Sequence, residues 1–149
     1  MPPPAEGTTY SAYKVGDRSS VMFDEIVVLL PLRGANVPYQ NLHVALAAVV
    51  NVQKKTYSSA SYGAEDILRR LETRVAARLT EMLSSLGEQS LFETPALRKR
   101  ALTEAQAVVD EALSKWEYGS DYRVEMVIVS WYWSDASVGR VQQRSEEHT

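Results

Sequence analysis

Residues 39–52 read YQNLHVALAAVVNV, and this stretch has the clearest two-residue period in the chain. The large apolar side chains of Leu42, Val44, Leu46 and Val50 alternate there with small or polar ones. Alternation with a period of two is typical of a β-strand that buries one of its faces. The stretch therefore predicts a long strand with one large apolar face.

A second strand is predicted immediately before this one. Residues 24–32 contain the run IVVLL, which is apolar, rich in β-branched side chains and ended by Pro31. A short run of this kind indicates a strand that is buried on both faces or nearly so. The turn-forming residues around Gly34 join the two strands, so we expect an antiparallel hairpin.

Two helical periods follow the polar stretch 53–63. In each, apolar side chains recur every three or four positions, and the first predicts a helix of about six turns. Gly87 is expected to end the first helix in a left-handed conformation. Thr94 and Pro95 begin the second, as a cap residue and a first helical residue, and Gly119 ends it. The two apolar stripes consist of Ile67, Leu68, Leu71, Val75, Leu79, Met82, Leu83 and Leu86, and of Leu97, Ala101, Leu102, Ala105, Val108, Val109, Ala112, Leu113 and Trp116.

The last predicted element is a strand over residues 122–133. Strict alternation places Val124, Met126 and Ile128 on one face of this strand. It places the following residues on the other face: Val127, Val129, Trp131 and Trp133. The predicted order of elements is therefore β-β-α-α-β.

This order predicts an α+β fold. Two long amphipathic helices have to bury their stripes, and the economical solution is a small antiparallel sheet with both helices packed on one face. We expect a single domain over residues 22–134. A flexible, Pro-rich leader is expected over residues 1–21, and a polar, disordered tail over residues 135–149.

Composition limits the possible functions. The 149 residues suffice for one domain, and 45% apolar with 23% charged residues excludes global disorder. The formal net charge of −3 leaves no excess of cations for phosphates, which argues against nucleic-acid binding. Cysteine is absent, so disulfides, thiol nucleophiles and thiolate metal sites are excluded. The longest apolar run, residues 45–50, is far shorter than the roughly 20 residues of a membrane span, so we expect a soluble chain.

Residues typical of catalysis are few. The sequence contains neither a glycine-rich phosphate loop nor a nucleophile elbow. His43 is a lone strand histidine, which is typical of a structural, partly exposed position. Asp24 and Glu25 are neighbours on a strand and point to opposite faces, so they cannot share a proton. We therefore predict no catalytic residue, no metal and no cofactor. A small α+β enzyme that uses His43 or Asp24 in a pocket between sheet and helices stays open as an alternative.

Two features suggest contact surfaces. The cluster at residues 131–133 reads WYW, and its tryptophans either pack on a helix or form a binding surface. The basic face of the first helix is either solvated or a contact between neighbouring copies, with acidic residues of the second helix as its partners. The candidate interface residues are Arg69, Arg70, Arg74, Arg78, Glu104, Asp110, Glu111, Trp131 and Trp133.

Five segments, in this order, resemble the periplasmic domain of FliL, the flagellar basal-body-associated protein family, whose fold is similar to that of stomatin, prohibitin and flotillin (SPFH) domains. The first three segments are DEIVVL at 24–29, YQNLHVAL at 39–46 and RLTEMLSS at 78–85. The last two are LFETP at 91–95 and the closing strand at 124–131.

The resemblance implies a non-enzymatic assembly protein. FliL-like domains form oligomeric rings around the stator units of the flagellar motor, at the periplasmic face of the bacterial inner membrane. For this chain the resemblance implies a homo-oligomer with stator proteins as partners. It also implies membrane association only through an anchor that is absent from this chain. An SPFH-type, membrane-associated oligomeric scaffold unrelated to flagella is the second interpretation.

Overall fold

The fold is taken from a computed structural model, which describes residues 12–13, 15–54, 56–57, 63–90 and 93–136. Seven strands and two helices follow one another in these residues, and a short 3₁₀ turn, Gly119–Asp121, precedes the last strand. The elements are β1 (Ala12–Tyr13), β2 (Arg18–Met22), β3 (Ile26–Arg33), β4 (Tyr39–Val52), β5 (Thr56–Tyr57), α1 (Gly63–Ser84), β6 (Gln89–Ser90), α2 (Thr94–Lys115) and β7 (Tyr122–Asp135).

Strand β4 is the centre of the sheet. It pairs antiparallel with β7 along almost its whole length, from Gln40 to Val52. On its other side it pairs antiparallel with β3 over its first half and with β2 over its second half. Strands β2 and β3 therefore lie end to end along one side of β4. The α+β class is confirmed, with the hairpin and the closing strand in one sheet.

Two details of the sheet differ from the expectation. The short strand β6 pairs in parallel with the end of β3, at Leu32 and Arg33, so the sheet is mixed and not purely antiparallel. The second detail is β2, which contains Val21, a side chain that is only 2% exposed. The prediction of a flexible leader through residue 21 is therefore wrong over residues 18–21, and also over residues 12–13, which form β1. The prediction of a disordered tail from residue 135 is wrong at Asp135, the last residue of β7. The inward position opposite Val50 is occupied by Ser19, so β2 shows no apolar alternation in the sequence.

The remaining leader and tail positions, residues 1–11, 14 and 137–149, lie outside the described residues.

Both helices pack on the same face of the sheet and on each other, with α1 over β3 and α2 over β7. The inward side chains of β4 and the helical stripes form one continuous core. Leu68, Val75, Leu79 and Leu83 of α1 are fully buried there. The predicted stripes are confirmed, except that their outer members are only partly buried: Ile67, Leu86, Leu102, Ala112 and Trp116.

A β-bulge in β7 changes the side to which the tryptophans point. Ser130 pairs with Ala45 and Ile128 pairs with Leu46, so Val129 is an extra residue in the strand. An extra residue shifts the alternation by one position. Trp131 and Trp133 therefore share the helix-facing side with Ile128, and the prediction that they lie on the opposite face is wrong.

Two predicted helix ends are also wrong in detail. Thr94 is the first residue of α2, its Oγ1 makes no hydrogen bond to any of the described residues, and Glu93 occupies the cap position. Helix α1 ends at Ser84, and Gly87 is not among the described glycines with positive φ.

Candidate docking edge

The two outer edges of the sheet are formed by β2 and β3 on one side and by β7 on the other. In an antiparallel sheet, successive residues of an edge strand turn their peptide groups alternately toward the neighbouring strand and outward. Outward groups without partners are a template for another strand, so monomeric proteins cover or charge them. The partners of these groups show which edge is available to another chain.

The β2–β3 edge is covered where the two strands meet and at the end of β3. The Arg69 guanidinium of α1 donates a hydrogen bond to the carbonyl oxygen of Met22, at 2.7 Å. The backbone N–H of Asp24 donates to the carboxylate of Glu72, also on α1. Strand β6 covers the end of β3, and Pro31 just before it has no N–H to offer.

The first half of β7 is closed by one side chain, that of Gln106. Its Nε2 donates to the carbonyl oxygen of Val124 at 2.9 Å, and its Oε1 accepts from the N–H of Met126 at 2.8 Å. A side-chain amide carries the same donor and acceptor as a peptide unit, so Gln106 takes the place of a neighbouring strand. The exposed charges of Arg123 and Glu125 lie in this half and also oppose pairing with another strand.

Among the described residues, nothing covers the second half of β7 in this way. Residues 127–134 read VIVSWYWS, without a charge or a proline. Strand β7 pairs only with β4, and within the described part of the chain no backbone hydrogen bond reaches its outer side between Val129 and Asp135. Uncharged, β-branched and aromatic sequence on a free edge favours strand addition by another chain. We refer to residues 129–135 as the open edge.

The tryptophans of the open edge have unsatisfied polar groups. Trp131 and Trp133 are half-buried and pack against the core from the β7 side. The indole Nε1 of each is buried and has no acceptor within the described part of the chain.

A polar cluster lies on the sheet face opposite the helices. His43 Nδ1 is 2.8 Å from Glu25 Oε1, and His43 Nε2 is 2.7 Å from Ser134 Oγ. The ring of Tyr132 stacks on that of His43, with centroids 4.3 Å apart, and its hydroxyl donates to Glu25 Oε2 at 3.3 Å. Burial raises the pKa of the Tyr132 phenol, and the negative charge of Glu25 raises it further.

The cluster contains a carboxylate, an imidazole and a hydroxyl in one hydrogen-bonded chain, which is the order of a serine-hydrolase triad. Glu25, and not the predicted Asp24, is the acid that faces His43. Ser134 lies within the β-ladder, opposite Asn41. A concave region of about 860 Å³ lies instead between the end of α2 and the start of β7, and its lining does not include His43.

The predicted helix interface residues mostly have partners within the chain. Arg78 of α1 lies 3.0 Å from Glu104 of α2, and this carboxylate raises the pKa of the Arg78 guanidinium. Lys115 pairs with Glu111 at 3.0 Å and lowers the pKa of its carboxyl, to which Arg74 and Arg78 also contribute. The remaining pairs are Arg70 with Asp66, Arg69 with the Met22 carbonyl, and Asp110 with Gln106. A role of these residues between copies stays a prediction.

Comparison with known proteins identifies no relative of this chain. No family model, no curated protein and no solved structure matches this chain. Neither helix of the described residues is both long and apolar enough to cross a membrane. The same residues contain no group of three or more histidine, aspartate or glutamate side chains that could hold a metal ion.

Proposed function

We propose that this chain is a non-enzymatic assembly protein of the FliL type. It self-associates, and the oligomer supports stator units of the flagellar motor at the periplasmic face of the bacterial inner membrane. The open edge is the observation that supports self-association. Among the described residues, Arg69, Glu72, β6 and Gln106 provide partners for other parts of the two edges, whereas the outward backbone groups of the open edge have none.

The flagellar part of the proposal is tested by motility. A strain that lacks the gene is complemented with the wild-type chain, with Val129→Glu and with Met22→Glu, and swimming is scored at equal protein levels. Val129 and Met22 are 52% and 48% exposed, so the two variants are matched in burial, but only Val129 lies on the open edge. A charge on a strand edge opposes pairing with another strand. We expect the wild type and Met22→Glu to restore swimming and Val129→Glu to fail.

Normal swimming of the strain that lacks the gene would overturn the flagellar assignment. The alternative is then an SPFH-type membrane scaffold unrelated to flagella. Restoration of swimming by Val129→Glu would show that the open edge is not needed for the function.

A second candidate function is acyl transfer, and the hydrogen-bonded chain of Glu25, His43 and Ser134 is the observation that favours it. His43 would take the Ser134 proton as the hydroxyl attacks an ester carbonyl, and Glu25 would orient the imidazole. Such a reaction also needs donors aimed at the developing oxyanion. The position of Ser134 within a regular ladder on a sheet face does not offer a strand-to-helix turn of the kind that supplies them.

A fluorophosphonate probe separates the two functions, because it reacts with activated serines. The assembly proposal predicts no labelling of the wild-type chain. Labelling that is lost in Ser134→Ala and kept in Ser130→Ala would favour the hydrolase.

A further inference from the structure

The outward peptide groups of the open edge follow from the pairing of β7 with β4. The N–H of Ala136 donates to the carbonyl oxygen of Tyr39 at 3.3 Å, and the strand partners Ser134 and Asn41 continue the same ladder. Even-numbered residues in this part of β7 therefore turn their peptide groups toward β4. The peptide groups of Trp131, Trp133 and Asp135 point outward.

We propose that the open edge pairs with the open edge of a second copy of this chain, antiparallel, around a two-fold axis at Tyr132. The inference rests on the proposed function, since it names the contact through which the chain self-associates. Strand β7 would then continue into the partner's β7, and the two sheets would become one.

The position of the axis follows from the bounds of the open edge. Outward groups have to pair with outward groups, and Tyr132 is the midpoint of residues 129–135, so an axis there engages the whole stretch. An axis nearer the start of β7 would bring the partner strand against Gln106 and the charge of Glu125. An axis nearer its end would bring two copies of Asp135 together.

The same register places compatible side chains opposite one another. On the helix side, Trp131 faces the partner's Trp133, and the symmetry repeats the pair, so four indoles form one cluster. Aromatic cross-strand pairs stabilise antiparallel strands. On the sheet face opposite the helices, Tyr132 faces the partner's Tyr132, and Ser130 faces the partner's Ser134. No charge is buried in any of these pairs.

A second copy is favoured over a head-to-tail chain of copies because the opposite edge is interrupted in its middle. A strand that pairs along both β2 and β3 would have to displace Arg69 and Glu72 from their backbone partners. A two-fold contact uses the same edge on both copies, so it is complete once two copies have joined. A larger ring would need a second contact, for which the basic face of α1 stays a prediction.

Disulfide trapping tests the register, and the natural chain contains no cysteine to interfere. Residues on the axis of an antiparallel pair have Cβ atoms about 4.5–5.5 Å apart, close enough for a disulfide after a small adjustment. The full chain with Tyr132→Cys is therefore expected to form a covalent dimer under mild oxidation. Met22→Cys is the control, because residues 22 and 132 are 48% and 47% exposed.

Two further variants determine the register independently of Tyr132. Ser130→Cys and Ser134→Cys are each expected to form no disulfide-linked dimer alone and to form a mixed disulfide when combined. A disulfide-linked homodimer of either variant alone would place the axis at residue 130 or 134 and would overturn the proposed register. Equal cross-linking of Tyr132→Cys and Met22→Cys would overturn the edge contact altogether.

The failures of the two proposals are distinguishable. If the wild-type chain dimerises in solution but neither Tyr132→Cys nor the mixed serine variants cross-link, the inference is wrong and the proposed function stands. If the wild-type chain stays monomeric, the self-association in the proposed function is itself wrong.

Discussion

At the scale of single residues, Gln106 decides how much of β7 is available to another chain. Its amide replaces a missing strand at Val124 and Met126. The sequence predicts the buried side of α2 from its apolar period. It contains no sign of this role, because a glutamine on a helix does not reveal which backbone groups it will reach 18 to 20 residues further on. The sequence likewise does not reveal Glu25 and Ser134 as the partners of His43, because they lie 18 and 91 residues away from it along the chain.

Gln106→Ala tests the edge cap. The substitution removes two hydrogen bonds to backbone groups of β7, and we expect a loss of about 1–2 kcal/mol in the free energy of unfolding, measured by urea denaturation. Gln89→Ala is the control, because its amide donates only to the nearby carbonyl of Gly87, and its effect should stay within about 0.5 kcal/mol. Equal effects of the two substitutions would contradict the role assigned to Gln106.

The titration of Tyr132 tests the polar cluster. Burial and the neighbouring Glu25 carboxylate raise the pKa of this phenol above its ordinary value of about 10. Glu25→Gln removes the negative charge, so the pKa of Tyr132 should fall while staying above the ordinary value. Tyrosine-specific NMR titration, with Tyr132→Phe for assignment, measures the shift. An unchanged or higher pKa would show that Glu25 does not face the phenol.

The raised pKa of Tyr132 also determines how the stability of the folded chain changes with pH. A phenol whose pKa is raised in the folded state keeps its proton when the unfolded chain has lost it. Its contribution to stability is therefore complete below about pH 10 and decreases as the pH rises through the folded-state value. Wild-type stability should fall more steeply in this alkaline range than that of Tyr132→Phe.

At the scale of elements, the sequence period predicts those helices and strands that bury one apolar face. Helices α1 and α2 and the strands β4 and β7 bury the apolar stripes that their periods predict. Strand β3 is predicted from its continuous apolar run to be buried on both faces, and this is wrong, because Val27 and Leu29 on its outer face are 49% and 48% exposed. Strand β2 was missed because its inward Ser19 breaks the period, and β6 because two residues are too few to show one. The bulge at Val129 was missed because the apolar and aromatic residues on both of its sides suit either register.

The turn between α2 and β7 gives a stability prediction at this scale. A Cβ atom at Gly119 would lie 1.8 Å from the carbonyl oxygen of Leu113, which is backbone and cannot move aside. Gly119→Ala should therefore cost about 3 kcal/mol in the free energy of unfolding. Gly87→Ala is the matched control, because nothing lies within 4 Å of its Cβ position, and it should be neutral or slightly stabilising. Similar losses for both variants in chemical denaturation would contradict the close approach at Gly119.

At the scale of the whole molecule, the main sheet with two helices on one face could be predicted because two amphipathic stripes have few ways to be buried together. The open edge could not be predicted in the same way. It depends on which peptide groups the side chains of α1 and α2 reach, and that follows only from the packed structure. Self-association through this edge is the central claim about the molecule.

Sedimentation velocity of the full chain tests that claim most directly. The wild type, Met22→Glu and Val129→Glu are compared from about 1 μM to about 1 mM, the range in which a small interface is expected to associate. We predict that the wild type and Met22→Glu shift from the 16.7 kDa monomer toward larger species with rising concentration, while Val129→Glu remains monomeric. A wild-type chain that stays monomeric throughout, or a Val129→Glu chain that associates as strongly as the wild type, would contradict it.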